Sequence, residues 1–377
     1  MKIVSIFLLC CVLLSCATPP TDTQGAPVWL NSLERAYPSR EWVAVTAEGA
    51  GRPQAEAAAM NALARAFRTD VASLTQMSQR FSRIVDSASG SRTIAFNESE
   101  NFRQDVSTTT NIKGLIGVQI DIYRAPDNTV YICARMNRRE CAARYSGMIR
   151  ENAAIINTLL AAASPIQGTF DVYSRLSFAH AIAEVTDNFQ NILEVLDTSA
   201  VSRKPAYGGA AAIRTKMIEC ASLITIGITV NTEQQADRTL LTRAAGSFFR
   251  DLGVRSSTAS SGVDQQSQHG VAQSESQRDE QRREGFIPSS APGYYVLRVN
   301  ARFETIRQNV VSCRYYLDAV LENANRAAIF SFTEDDRKAH PNMESEARRL
   351  AVSAAETSFK EGKFAQEFES WLNSLIE

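Results

Sequence analysis

The chain has 377 residues, of which 44% are hydrophobic and 8% aromatic, a globular composition with enough length for two ordinary domains. Its 40 lysines and arginines nearly balance 41 aspartates and glutamates. Because binding of nucleic acid requires a basic face, this balance argues against a nucleic-acid partner.

The first residues have the pattern of an export signal. Met1 and Lys2 give a short basic start, residues 3–14 carry no charge, and Leu13-Leu14-Ser15-Cys16 follows. A basic start, an apolar stretch and a small-residue cleavage site predict a signal peptide over residues 1–15. The apolar stretch is shorter than the roughly 20 residues that cross a bilayer as a helix.

Leu13-Leu14-Ser15-Cys16 also matches the lipobox pattern, in which cleavage leaves a lipid-bearing cysteine at the new amino terminus. We therefore expect Cys16 to carry covalent lipid and to attach the protein to a lipid bilayer; an ordinary secretory signal that contains a cysteine is the alternative. Ala17 stands where an aspartate would retain the protein at the inner membrane, which favours the outer membrane, with the body facing the periplasm. Residues 16–26 are rich in Thr and Pro and predict a flexible tether. Apart from the lipid, no cofactor is expected.

The first folded domain is predicted over residues 27–163. Apolar residues that recur every three or four positions predict helices, and strict alternation predicts strands. The predicted elements are, in order, a strand over 42–48, a helix over 52–85, a tentative strand over 102–110, a hairpin over 116–136 and a helix over 138–163. Residues 164–200 are predicted to form a helical connector.

The second domain is predicted over residues 201–377. Its predicted elements are a strand over 223–230, a helix over 236–252, strands over 295–303, 311–321 and 328–332, and a helix over 343–375. Residues 255–292 hold Ser, Gln, Glu and Arg with few apolar residues, which predicts a disordered insertion. Both domains thus follow the order strand, helix, three strands, helix. The predicted class is α+β, with antiparallel sheets packed against long helices.

Residues 27–150 resemble the LPP-twenty-like bacterial lipoproteins. The segments that carry the resemblance are Pro27-Val28-Trp29-Leu30, Tyr37-Pro38, Trp42-Val43-Ala44-Val45, the alanine-rich run 55–64, Gly114-Leu115-Ile116-Gly117-Val118 and Tyr131-Ile132-Cys133-Ala134. The resemblance implies an envelope lipoprotein without enzymatic activity, whose relatives include flagellar accessory proteins and activators of peptidoglycan synthases. It supplies no catalytic residues.

Four cysteines remain once Cys10, Cys11 and the lipid-bearing Cys16 are set aside: Cys133, Cys141, Cys220 and Cys313. Export permits disulfides, and four cysteines allow three pairings. Cys220 and Cys313 are the candidate pair, since both lie in or beside predicted strands of the second domain. The alternative is a buried free thiol, because Cys313 falls on the core face of its predicted strand.

No catalytic or metal-binding constellation stands out. The three histidines, His180, His269 and His340, are neither paired at helical spacing nor close to a cysteine cluster. The acidic run Glu334-Asp335-Asp336 lacks the ligand spacing of a calcium loop and predicts a solvated turn before the last helix. We therefore expect a protein that is not an enzyme.

These observations favour a membrane-anchored scaffold or binding module of the cell envelope, which acts through an envelope protein partner or through self-association. Open sheet edges offer places for a partner strand. The insertion is a candidate partner-binding arm, with Arg255, Arg278, Arg282 and Arg283 as its candidate contact residues. An envelope enzyme and a surface-exposed lipoprotein of unknown ligand are the alternatives.

Overall fold

The computed structural model describes residues 25–67, 115–200, 205–258, 293–307 and 310–376. The chain divides into two compact units. Of the described residues, unit 1 contains 25–67, 115–146 and 191–200, and unit 2 contains the remainder. The predicted signal peptide, Cys16, most of the tether, the tentative strand over 102–110 and Arg278, Arg282 and Arg283 lie outside the described residues.

Unit 1 is built on a three-stranded antiparallel sheet. Its elements are α1 (Val28–Asn31), α2 (Leu33–Ala36), β1 (Trp42–Gly49), α3 (Arg52–Ala66), β2 (Gln119–Arg124) and β3 (Val130–Asn137). The strand order is β1-β3-β2, so the predicted hairpin is confirmed and β1 pairs with its second strand. Asn128 closes the hairpin turn with a φ of 69°, a left-handed conformation that asparagine adopts more readily than most residues.

Helix α3 covers one face of this sheet. Gly49 marks the contact, because a Cβ at this position would lie 2.7 Å from the Ala55 nitrogen. Ala59 and Leu63 of α3 are buried. The residues of β3 that share this face with Gly49 are also all buried: Val130, Ile132, Ala134 and Met136. Trp29 is also buried. The helix predicted over residues 52–85 is confirmed as far as Ala66, and its continuation lies outside the described residues.

Two long helices follow. Helix α4 (Arg138–Ala162) begins in unit 1 and continues in unit 2, and α5 (Phe170–Leu196) begins in unit 2 and ends in unit 1. The predicted helix over residues 138–163 is confirmed within one residue. Helix α5 lies within residues 164–200, for which a helical connector is predicted.

Unit 2 contains a five-stranded mixed sheet. Its further elements are α6 (Ala210–Leu223), β4 (Thr225–Asn231), α7 (Gln235–Asp251), β5 (Arg255–Thr258), β6 (Tyr294–Arg307), β7 (Val311–Glu322), β8 (Ala328–His340), α8 (Glu344–Lys360) and α9 (Lys363–Ser374). The strand order is β5-β4-β6-β7-β8. Strand β4 runs parallel to both of its neighbours, and β6, β7 and β8 are antiparallel. The overall class is α+β, as predicted.

Three details of the prediction for unit 2 are wrong. The sheet is mixed and not antiparallel, and four strands follow α7 because residues 255–258 form β5. Arg255 is therefore part of an ordered edge strand, and any disordered insertion begins after Thr258. Strand β8 extends to His340, so Glu334-Asp335-Asp336 lies within a strand and not in a turn.

The core of unit 2 combines the inner face of the sheet with small and aromatic helix residues. Ala347, Ala351 and Ala355 are fully buried, and their size allows α8 to pack closely on β6, β7 and β8. Phe364 and Phe368 of α9 lie within 6.0 Å of each other and contact Phe330 of β8 at 5.7 and 5.3 Å between ring centroids. Edge-to-face and stacked contacts of this kind add to the stabilisation from apolar burial.

The candidate disulfide between Cys220 and Cys313 is absent. All four cysteines of the described residues are buried free thiols, and the Cys220 thiol donates to the Gln167 carbonyl at 3.0 Å. Cys220 lies five residues before Thr225, which pairs with Tyr294 of β6. Cys313 pairs with Thr305, which is eleven residues further along the same strand. Eleven strand residues span about 36 Å, and the Cα atoms of a disulfide lie within about 7 Å, so the two thiols cannot meet.

Candidate functional site at the edge of the second sheet

The edge strand β5 is described as far as Thr258. Its four residues pair with Thr225–Ile228 of β4. On its other side β4 pairs with β6 through Asn231. Strand β5 is the outermost strand of this sheet, and among the described residues no strand pairs with its outer side. Unpaired backbone groups at such an edge are a template for another strand.

Helix α7 forms a wall beside this open edge, and the two enclose a groove of about 740 Å³. We refer to it as the edge groove. It is lined by Ile228, Thr229, Val230, Asn231, Gln235, Arg238, Thr239, Thr242, Arg243, Gly246, Arg250, Ser256 and Ser257. The wall and the edge strand touch at Gly246, whose carbonyl accepts a hydrogen bond of 3.4 Å from the Ser256 hydroxyl.

The amphipathic pattern of α7 determines which side chains reach the edge groove. Leu241, Ala244, Ala245 and Phe249 are buried in the core of unit 2. The polar side of the helix is thereby turned toward the groove and contributes Arg238, Arg243 and Arg250 to its lining. This division of one helix into a core face and a polar face follows from its 3.6-residue period.

The edge groove is positively charged. It has three arginines in its lining and no aspartate or glutamate. The one buried acidic residue of α7, Asp237, is held elsewhere by Arg348, whose Nη2 lies 2.6 Å from its Oδ2. An opening lined by cations without neighbouring carboxylates attracts anionic groups.

Two polar groups at one end of the edge groove lack partners. The Arg238 Nε and the Thr232 hydroxyl are buried and form no hydrogen bond. The Arg238 Nη2 reaches only the Thr232 carbonyl, at 3.4 Å. A buried donor without an acceptor costs about 1–3 kcal/mol, so these two groups are a local cost to the stability of unit 2.

Of the predicted contact residues, the described part of the chain includes Arg255, which does not line the edge groove. Arg255 is exposed at the start of β5, and its backbone N–H donates to the Ile224 carbonyl at 3.2 Å. The contact residues predicted from the sequence did not include Arg238, Arg243 and Arg250 of the groove lining. A signal was present, since none of the three has an acidic residue three or four positions away, where a helix would pair it.

Unit 2 has a second cavity, of about 630 Å³, among helices α5, α6, α7 and α9. Its lining includes apolar side chains such as Phe248 and Phe368. It also includes acidic residues such as Glu369 and basic residues such as Arg214. His180 lines it, with Nε2 3.9 Å from an oxygen of Glu184. This mixture of charges defines no ligand class as clearly as the edge groove does.

The described residues contain neither a metal-binding cluster nor a helix suited to span a membrane. Within the described ranges, no three or more His, Cys, Asp or Glu side chains come together as metal ligands. His340 is engaged locally, since its Nδ1 accepts the backbone N–H of Met343 at 3.0 Å. None of the helices in the described part of the chain combines the length and the apolar character needed to cross a membrane.

The fold and the edge groove together define an α+β protein of two units, with an arginine-lined groove beside the sheet edge of the second. No family model matches the chain, and no curated protein matches it either.

Solved structures with similarity to it include the following three. A lipoprotein of Neisseria meningitidis, GNA1162, aligns with 36% of this chain and 98% of its own at 15% identity and a TM-score of 0.23. A minor lipoprotein of Acinetobacter baumannii aligns with 40% of this chain and 92% of its own at 14% identity and a TM-score of 0.22. The secreted protein HP1454 of Helicobacter pylori aligns with 87% of this chain and 97% of its own at 9% identity and a TM-score of 0.34. Similarity at this level establishes neither a shared fold nor a shared function.

Proposed function

We propose that the protein is a lipid-anchored, non-enzymatic binding protein of the cell envelope, which accepts an extended segment of a protein partner in the edge groove. The observation that carries this proposal is a groove lined by three arginines and no carboxylate, which lies beside β5, the edge strand of the mixed sheet. Strand addition gives affinity through main-chain hydrogen bonds, and the neighbouring side chains give specificity.

The anchor is part of the same proposal. Leu13-Leu14-Ser15-Cys16 supports lipid attachment at Cys16, and Ala17 supports an outer-membrane location with the body in the periplasm. The resemblance of residues 27–150 to LPP-twenty-like lipoproteins supports a role in envelope assembly, as a scaffold for flagellar or peptidoglycan-related machinery. Attachment through several acyl chains would keep the edge groove permanently near partners at the membrane.

Site-specific photo-crosslinking in living cells tests the binding proposal. A photoreactive amino acid replaces Ser257, which is exposed on β5 and lines the edge groove. The matched control carries it at Thr333, which is exposed on β8 at the opposite edge of the same sheet. We expect a defined crosslinked species, identified by mass spectrometry, from position 257 and not from position 333. Equal products from both positions, or none from position 257, would overturn the proposed site.

The anchor is tested separately by Cys16→Ser. We expect the wild-type amino-terminal peptide to show the mass of an acylated cysteine, and the protein to stay with membranes after a carbonate wash. The variant should lose the acyl mass and move to the soluble fraction. A variant that remains membrane-bound would show that Cys16 is not the anchor. Protease treatment of intact cells then distinguishes a periplasmic body, which is protected, from a surface-exposed one.

A further inference from the structure

We propose that the edge groove contains a binding site for a phosphate-type oxyanion, which lies over Gly246 of α7 and is held by Thr242, Arg243 and Arg250. The ligand is the phosphate group of a small molecule or of a phospholipid headgroup, since both present the same oxygens. This site goes beyond the proposed function, because it takes a small anion whether or not a protein segment binds at the sheet edge.

The Arg250 guanidinium is held beside the edge strand. Its Nε donates to the Gly246 carbonyl at 3.2 Å, one helical turn back along α7. The Ser256 hydroxyl of β5 donates to the same carbonyl at 3.4 Å. Within the described part of the chain, the two Nη nitrogens of Arg250 have no hydrogen-bond acceptor and no acidic partner. They are therefore donors available to a ligand at this point of the groove.

Thr242 and Arg243 complete the site from the same helix. They precede Gly246 by four and three residues, and residues at this spacing are neighbours on a helix surface. Arg243 and Arg250 are two turns apart, so they project from the same side of α7, about 10.5 Å apart along its axis. Because Arg250 folds back to Gly246, its guanidinium lies closer to Arg243 than this separation of the backbones. Neither Thr242 nor Arg243 has a side-chain partner among the described residues.

Gly246 is the floor of the site, and packing of the chain does not require glycine there. A Cβ at this position would lie 3.5 Å from the Ser256 Oγ and 3.7 Å from the Ile228 Cδ1, which are ordinary contacts. Alanine would also favour the helix more than glycine does. A glycine at this place instead keeps open the space between the surrounding donors, where an anion would lie.

The charges and donors of the site favour a tetrahedral oxyanion. Other arginines of unit 2 are neutralised by acids, as in the 3.0 Å pair of Arg298 with Glu322 and the 2.6 Å pair of Arg348 with Asp237. The lining of the edge groove has no carboxylate to compete with an anion. The fork of one arginine is enough for a carboxylate, whereas the several oxygens of a phosphate accept from two guanidinium groups and a hydroxyl at once.

Isothermal titration calorimetry of the full chain in detergent with inorganic phosphate tests the site. We expect saturable binding, which Arg250→Gln and Arg243→Gln should each weaken by about five- to tenfold. Thr242→Val should weaken it by about threefold, because it removes one neutral hydrogen bond. The matched control is Arg150→Gln, which removes the same charge from an exposed position of unit 2 outside the groove and should leave binding unchanged.

Gly246→Ala separates a ligand site from a structural role. Alanine should raise the melting temperature, since it favours the helix, and its methyl group should weaken phosphate binding by about threefold or more, since it fills the floor. Far-ultraviolet circular dichroism confirms that each variant is folded. A Gly246→Ala variant that binds phosphate like the wild type would show that the anion does not lie over this glycine.

A cosedimentation experiment distinguishes the two sources of phosphate. The Cys16→Ser variant, which lacks the anchor cysteine, is mixed with vesicles of phosphatidylcholine alone or with added phosphatidylglycerol. Sedimentation with the anionic vesicles only, abolished by Arg250→Gln, would identify a lipid headgroup. Phosphate binding without such sedimentation would identify a small phosphate-bearing ligand.

Three results would overturn the oxyanion site. They are no saturable phosphate binding, unchanged binding in both Arg243→Gln and Arg250→Gln, and an equal loss in Arg150→Gln, which would indicate a general charge effect. A glutamate-rich peptide that binds through the same arginines while phosphate does not would likewise exclude it and assign these arginines to the protein partner. The crosslink from position 257 is measured independently, so the proposed function stands or fails separately.

Discussion

Arg135 of β3 and Asp121 of the neighbouring strand β2 are diagonal neighbours and form a two-point ion pair. The Arg135 Nε lies 2.9 Å from the Asp121 Oδ2, and its Nη2 lies 3.3 Å from Oδ1. The Tyr37 hydroxyl donates to the same carboxylate at 2.6 Å. The Arg135 guanidinium lies 4.7 Å from the centre of the Tyr37 ring and 5.0 Å from that of Trp42. This cluster fixes the first folded residues after the predicted tether to the sheet of unit 1.

Arg135→Lys should destabilise unit 1. Lysine keeps the charge but loses the planar group that binds Asp121 through two nitrogens and stacks on two aromatic rings. Because the Arg135 and Asp121 side chains are only 18% and 17% exposed, solvent does not replace these contacts fully. We expect unit 1 to lose about 2 kcal/mol of its free energy of opening. Hydrogen exchange of the β1 and β3 amides, followed by mass spectrometry, measures the loss locally.

The matched control for this substitution is Arg144→Lys. Arg144 forms a 3.0 Å ion pair with Glu140 one helical turn away, and its side chain is 40% exposed. Exposed pairs of this kind contribute about 0.3–0.5 kcal/mol, so exchange in unit 1 should barely change. An Arg135→Lys variant that exchanges like this control would show that the Arg135 cluster does not hold the amino-terminal segment.

A buried carboxylate in unit 2 supports the second prediction. Glu334 accepts hydrogen bonds from the Tyr315 hydroxyl, at 3.0 Å, and from the Ser358 hydroxyl. Ser358 in turn accepts the backbone N–H of Phe364, at 3.2 Å, so Glu334 links β7 and β8 to both carboxy-terminal helices. Glu334→Ala should lower the free energy of unfolding by about 3 kcal/mol, because it leaves buried donors without an acceptor.

Urea denaturation measures this effect, and two variants calibrate it. Glu334→Gln keeps the size and one acceptor oxygen, so its cost should be about half of that of Glu334→Ala. Asp335→Asn, at an exposed neighbouring position that pairs with Arg314, should change the free energy of unfolding by less than about 0.5 kcal/mol. Equal effects at positions 334 and 335 would show that burial of Glu334 is not what matters.

Glu334 also shows why a prediction from the sequence alone was wrong at this position. Three consecutive acids predict a solvated turn, but Phe330, Phe332 and Glu334 alternate inward along one strand. The partners of Glu334 lie 19 and 24 residues away, so only the tertiary fold accounts for a carboxylate at that depth.

Locally determined features were predicted more successfully. The hairpin, β1 and the start of α3 were correct, because alternation, turn residues and helical periodicity are all local. Helix α6 was missed because Ile218 and Leu223, exposed at 55% and 45%, fall outside its buried stripe and blur its period. Strand β5 was missed because its four polar residues resemble the insertion that follows. The edge groove depends on β5 and on the pairing of β4, so no local pattern predicted it.

The cysteines give a prediction about reactivity. Burial raises the pKa of Cys141 and Cys220 to about 11 and that of Cys133 to about 12. At pH 8 fewer than about one in a thousand of such thiols is ionised, and the thiolate is the reactive form. Ellman's reagent should therefore detect almost no thiol in the native protein at pH 8 and all four buried cysteines after denaturation. A count of two after denaturation would show that a disulfide exists.

These pKa shifts also predict the effect of alkaline pH on stability. In the unfolded chain a cysteine loses its proton near pH 8.5, whereas in the folded protein Cys220 retains it to about pH 11. The unfolded state therefore releases protons that the folded state still binds, and the free energy of unfolding falls as pH rises through this interval. Burial raises the pKa of Tyr173 to about 12, which acts in the same direction above pH 10. Urea denaturation at pH 7.5, 9 and 10.5 should show a progressive loss; constant stability would contradict it.

The last prediction concerns the insertion after β5. Residues 259–292, with Arg278, Arg282 and Arg283, lie outside the described residues, and their composition predicts a segment that orders only on contact with a partner. Replacing them with a short Gly-Ser linker should leave the melting temperature within about 2 °C of the wild type, since such a segment buries little apolar surface. The yield of crosslinked partner from position 257 should fall several-fold.

A second variant separates contact from reach. Replacing Arg278, Arg282 and Arg283 together with glutamine keeps the length of the segment and removes its cations. If both variants lose the crosslink, the arginines themselves contact the partner; if only the linker variant does, the segment contributes through its length or other residues. A large drop in melting temperature on linker replacement would instead mean that residues 259–292 belong to the folded body, and the arm hypothesis would then be wrong.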